Sequence, residues 1–133
     1  MNFNDVFHDS YRRAVVLKPD AFFDQVHTRF IDKIAALNPA FNQSPIQIQK
    51  DLLVNSMITM LWFAEARTSD EQLEELIQTH RQMGIAGDLY DHWMDAILES
   101  LNTVDPTHSV YESLAWRIML SPALTLMKHS SVD

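Results

Sequence analysis

The stretch Leu73–Leu101, LEELIQTHRQMGIAGDLYDHWMDAILESL, decides how the rest of the chain is read. Leu73, Leu76, Ile77 and His80 stand three and four residues apart, so they share one face of a helix. Gly84 predicts the end of that helix, because glycine closes a helix C-terminus at little steric cost. A second helix is expected from about Asp88, with Tyr90, Trp93, Met94, Ile97, Leu98 and Leu101 as its apolar set. Two helices with apolar faces must bury them against further helices. One imidazole, His80, lies on such a face, where a polar group has to find a partner.

Outward from this stretch the helical period persists. A first helix is predicted over about Asn4 to Val16, with Val6, Phe7, Tyr11, Ala14 and Val15 on its apolar side. Pro19 suits the first turn of a helix. In the helix that begins there, Phe22, Val26, Phe30 and Ile34 recur at four-residue intervals, and Phe23, His27 and Ile31 form the adjoining row. Asn38-Pro39-Ala40-Phe41 ends it, since a residue before proline resists the α region, and residues 42–45 read as a loop. A long helix over Pro45 to Ala66 carries Ile46, Gln49, Leu53, Met57, Met60 and Ala64 as one stripe, flanked by Val54 and Leu61. Thr68-Ser69-Asp70-Glu71 is a start signal, offering hydroxyl and carboxyl groups to free backbone N–H groups. Downstream, Asp105-Pro106-Thr107 marks a break. The last helix is expected over Ser109 to Lys128, with Leu114, Ala115, Ile118, Met119, Ala123, Leu124 and Met127 facing the core and a kink at Pro122.

Composition narrows the function classes. The 133 residues suit one domain, 1–133, and 47% are apolar, enough for a sizeable core. A net charge of −8 disfavours nucleic acid phosphates and anionic membranes, and no basic stripe offsets it. The absence of cysteine removes disulfides, thiolate zinc sites, iron–sulfur clusters and c-type haem attachment. No apolar run reaches about 18 residues, so no membrane helix is expected. The start, Met1-Asn2-Phe3-Asn4-Asp5, lacks the order of a signal peptide. A cytoplasmic protein, monomer or homodimer, is the expectation.

Three polar side chains sit on apolar stripes of three different helices: His27, Gln49 and His80. Each alone is most simply a satisfied core-edge group; together they could converge on one cavity, and a neutral imidazole is the commonest protein metal ligand. His8, His92, His108 and His129 fall on expected solvent faces or ends. No HExxH, GxGxxG, GxxxxGK[ST] or GxSxG motif occurs, so zincin, dinucleotide, P-loop and serine-hydrolase readings have no support. Met57, Met60, Met94, Met119 and Met127 read as core filler.

At this point the chain resembles the globin superfamily, specifically bacterial single-domain and flavohaemoglobin-type globins. His80-Arg81-Gln82-Met83-Gly84-Ile85, then Leu89-Tyr90, then Ala96–Leu101 are similar to that family's proximal histidine, Gly-Val or Gly-Ile pair, aromatic residue and apolar helix. Trp116 falls where its last helix commonly has tryptophan. Phe30-Ile31 and Asn38-Pro39-Ala40-Phe41 resemble its Leu-Phe and Pro-Leu-Phe segments. The resemblance covers about Phe22 to Met127 and implies an all-α, globin-like fold of about six to seven helices around a haem pocket.

It also implies roles. His80 would be the axial ligand of the iron of haem b. Phe41 would pack flat on the porphyrin, Tyr90 would lie near it on the proximal side, and Gln49 would stand at or beside the distal position. Leu53 would close the apolar wall over the sixth coordination site. A one-residue shift of the distal helix would place Ile48 and Leu52 there instead; Gln49 is preferred because it shares a stripe with Ile46, Leu53 and Met57. His27 occupies the pocket position where the family usually has tyrosine, phenylalanine or leucine, and would either donate a hydrogen bond to a bound gas or ligate iron. The Tyr–Glu pair that often buttresses the proximal histidine is missing, with Leu120 and Ser131 near those places.

The function implied is reversible binding of oxygen, nitric oxide or carbon monoxide. Oxygen storage or transport fits, as does nitric oxide detoxification with a separate reductase, because the chain has no room for a reductase domain. No catalytic residue is assigned; nitric oxide dioxygenase activity is the enzymatic option. The alternative is a globin-like sensor or helical protein-interaction module without haem.

Overall fold

The computed structural model describes residues 2–35, 45–65, 70–82 and 85–129. Helix α1, Phe3–Tyr11, starts because the Asn2 side-chain oxygen accepts the backbone N–H groups of Asn4 and Asp5 at 3.0 and 3.3 Å. It does not run on as the uninterrupted α-helix to Val16 that the sequence suggests. Arg12–Val16 forms a π-helical turn instead. The wider turn redirects the side chains it carries, burying Ala14 and Val15 while Arg13 reaches Asp105 at 2.9 Å and also pairs with Glu112.

Helix α2, Pro19–Ile34, has its proline in the first turn, as expected, and buries Phe22, Val26, Phe30 and Ile34. Helix α3 spans Ile46–Ala64, α4 Asp70–Gln82, α5 Gly87–Val104 and α6 Val110–His129. No strand occurs among the described residues. Helix α2 packs on α5, and α6 packs on both α3 and α1. The predicted stops at Asn38-Pro39 and Gly84, and Thr68 and Ser69 of the start signal, lie outside the described residues. Lys18 Nζ donates to the Val104 carbonyl at 3.0 Å, meeting a free acceptor at the end of α5.

The core is one cluster drawn from all six α-helices among the described residues. Trp116 is its centre, fully buried, with Phe7 edge-on at 4.9 Å and Tyr11 stacked at 6.0 Å. Its indole N–H donates to Ser10 Oγ at 2.9 Å, so the one polar atom of the ring is satisfied inside the core. Met57, Met60, Met94 and Met127 are buried filler, as expected.

Three apolar assignments differ from expectation. Ile46, Leu114 and Ile118 are 63%, 43% and 51% exposed. Helix α6 turns the Trp116, Leu120, Ala123, Leu124 and Met127 side inward, and at about 100° per residue this carries Leu114 and Ile118 outward. The helix passes through Pro122 within the span Val110–His129. Among the described residues, no helix is long and apolar enough to cross a membrane.

Candidate functional site

His80 sits in the last turn of α4 and is 6% exposed. Its Nδ1–H donates to the Leu76 carbonyl, one turn earlier, at 2.8 Å. That bond fixes the tautomer: the proton is on Nδ1, and Nε2 carries the lone pair. Burial lowers the imidazole pKa below the ordinary histidine value, more than the Leu76 carbonyl raises it. The ring is therefore neutral at neutral pH. Nε2 accepts from the Ser56 hydroxyl of α3 at 3.3 Å.

His80 and Ser56 both line a small apolar cavity of about 20 Å³, room for about one water molecule. Phe30 of α2, Leu52, Leu53, Ser56 and Met60 of α3, and Leu89, Tyr90 and Trp93 of α5 line it with His80 and Ile85. The Tyr90 ring lies 5.9 Å from the His80 ring at 37°. Burial pushes the Tyr90 phenol up to about 12, so it keeps its proton.

Of the residues singled out from sequence, His80, Leu53 and Tyr90 meet at this cavity. His27 and Gln49 meet each other: His27 Nε2–H donates to Gln49 Oε1 at 2.8 Å, linking α2 to α3. Gln49 is 3% exposed whereas Ile48 is 55% exposed, so Gln49 is the inward residue of the two registers. One turn on, both Leu52 and Leu53 line the cavity. His27 is half-buried rather than fully inside, because its row lies beside the Phe22–Ile34 stripe that α2 turns to the core. Phe41 lies outside the described residues.

Sequence reasoning passed over Ser56. Its signal was present: Gln49, Leu53, Ser56 and Met60 also follow helical spacing, and Ser56 is the polar member of that row. Phe30 and Trp93 were read as core, which they are, but not as cavity walls.

The donor set fits a porphyrin iron in its chemistry. A neutral imidazole held at Nδ1 by a backbone carbonyl, with its Nε2 lone pair directed away from that carbonyl, is the arrangement that makes a directed iron ligand. Among the described residues no group of three or more His, Cys, Asp or Glu side chains could hold a metal ion by itself. Seating a flat macrocycle here requires the surrounding helices to part, since the cavity is far smaller than the ring.

No family model matches the chain, and no curated protein sequence does. A crystal structure of a protein from Pseudomonas aeruginosa PAO1, described as structurally highly homologous to a human haemoglobin, is similar at a TM-score of 0.83 and 25% identity, covering 99% of this chain and 100% of that one.

Proposed function

Taking the chain as what its likeness makes it, an all-α protein of bacterial globin-like fold, we propose that it binds haem b through His80 and reversibly takes up a diatomic gas. The observation that carries this is His80 itself: buried, neutral, tied at Nδ1 to Leu76, and lining an apolar cavity. When bound, haem supplies the iron to which oxygen, nitric oxide or carbon monoxide can attach.

The chain's own residues do the rest. His80 offers the axial lone pair, and the Leu76 carbonyl keeps the ring from rotating. Leu52, Leu53 and Met60 form an apolar wall that excludes water. Gln49 and His27 hold each other in place, the His27 N–H donating to Gln49 Oε1 and linking α2 to α3. Tyr90 and Trp93 close the α5 side. Oxygen storage or transport, or nitric oxide removal with a separate reductase, is the role this design supports, in a cytoplasmic setting.

The test is a haemin titration of the purified protein monitored by visible absorption, alongside His80→Ala. The expected outcome is a one-to-one Soret band that the variant loses or shifts, and a reduced form that binds carbon monoxide. A wild-type protein with no specific band overturns the reading. The second reading, a haem-free globin-like sensor or partner-binding module, is favoured by one observation, the cavity of only about 20 Å³ in front of His80.

A further inference from the structure

His80 Nε2 has a single lone pair, because Nδ1 carries the ring proton toward Leu76. Ser56 Oγ stands 3.3 Å from that nitrogen, and Ser56 is 2% exposed. A lone pair that accepts a hydroxyl proton is not available to iron, so the Ser56 contact and an iron bond are mutually exclusive. Of the surrounding side chains, Leu52, Leu53 and Leu89 offer the hydroxyl no acceptor and the Met60 thioether only a weak one. A serine inside a helix has one other outlet, the backbone carbonyl four residues earlier, which here belongs to Leu52. The hydroxyl can therefore release His80 by rotating about one bond, without being stranded in an apolar wall. The same contact ties α3 to α4, two of the helices that wall the cavity.

We propose that Ser56 competes with iron for the His80 lone pair and thereby sets a threshold for haem uptake. The inference rests on the haem reading above and deepens it: His80 supplies the affinity, and Ser56 subtracts from it. The chain then takes up haem only when haem is abundant enough to outcompete its own hydroxyl. Without this contact, the same histidine in the same pocket would load at lower haem concentration.

The experiment compares Ser56→Thr with Ser56→Val, which differ by a hydroxyl at nearly equal volume, together with Ser56→Ala and wild type. Haemin affinity and association rate are read from the Soret band. The expected result is about two- to tenfold tighter and faster binding for Ser56→Val than for Ser56→Thr, the range that a single net hydrogen bond supports. Ser56→Ala should move in the same direction as Ser56→Val. Equal affinities and rates for the Thr and Val variants overturn the proposal. A second arm reads the protein without added haemin, by the ¹⁵N resonance of His80 Nε2: it should shift between wild type and Ser56→Ala, and an unchanged resonance overturns the contact itself. If no protein in the series binds haemin, it is the haem reading that has failed, and the resonance still decides whether Ser56 engages His80.

Discussion

His80 illustrates how burial converts an ordinary residue into a directed donor. In the unfolded chain its imidazole takes a proton near the usual histidine value of about 6.5. In the folded protein burial moves that pKa down. His108 moves the same way: burial lowers it, more than Glu112 and Asp105 raise it. Between the folded and unfolded values the unfolded chain binds more protons, so stability rises with pH there. The stabilising share of both histidines is fully present above the ordinary histidine value and is lost as pH falls below it. Denaturant melts between pH 7.5 and 5 should therefore show a falling midpoint, and His80→Ala should flatten that slope even though it lowers the midpoint overall. An unchanged slope in the variant would mean that His80 is not the group responsible.

At the scale of elements, two devices join α1 to the end of the chain. The first is Trp116 with Ser10. Ser10→Ala leaves a buried indole N–H without its acceptor, so a loss of about 1–3 kcal/mol is expected in chemical denaturation. Trp116→Phe in the same background removes the stranded donor, and the double variant should cost less than the sum of the singles. The second is Arg13 on the π-helical turn, between Asp105 and Glu112. Burial pushes both carboxyls up. For Asp105 the hydrogen bonds from Thr107 and Arg13 more than reverse that, and for Glu112 those from Ser109 and Arg13 do so; both end below their usual range. A depressed carboxylate stabilises above its unfolded pKa, and that share is lost as pH falls through the folded one. Arg13→Met should therefore lower the melting temperature at pH 7 and weaken its fall below about pH 4, as calorimetry across pH 2–7 would record. The periodicity of α2 and α5 is legible in the sequence because each buries a full stripe. The π turn is not: Arg13 on it pairs with residues 92 and 99 positions along the chain, partners that no local period encodes.

At the scale of the molecule, the fold places a ligand-capable histidine where helices α3, α4 and α5 meet around a small apolar cavity. If haem binds the native chain and not the unfolded one, free haemin at about 100 times its dissociation constant should raise the unfolding free energy by about 2.7 kcal/mol. Calorimetry with and without haemin measures this directly. An increase of the same size in His80→Ala would show that haemin binds elsewhere on the surface. The charge of −8 adds repulsion that grows as salt falls, so this comparison belongs at one fixed ionic strength.

The helices, the apolar faces that α2 and α5 bury, and the candidacy of His80 are legible in the sequence. These depend on local spacing: residues three and four apart share a face whatever lies across from it, and an imidazole on such a face stands out against leucines. Its likeness to globins also pointed to the fold that the solved neighbour shares. Packing between helices set the rest: that His27 pairs with Gln49, that Leu114 and Ile118 face outward, and that Ser56 reaches His80. Each of these depends on which helix lies opposite and at what rotation. A one-residue change of facing turns a helical side chain by about 100°, so partners are chosen by packing between helices rather than by the period within one.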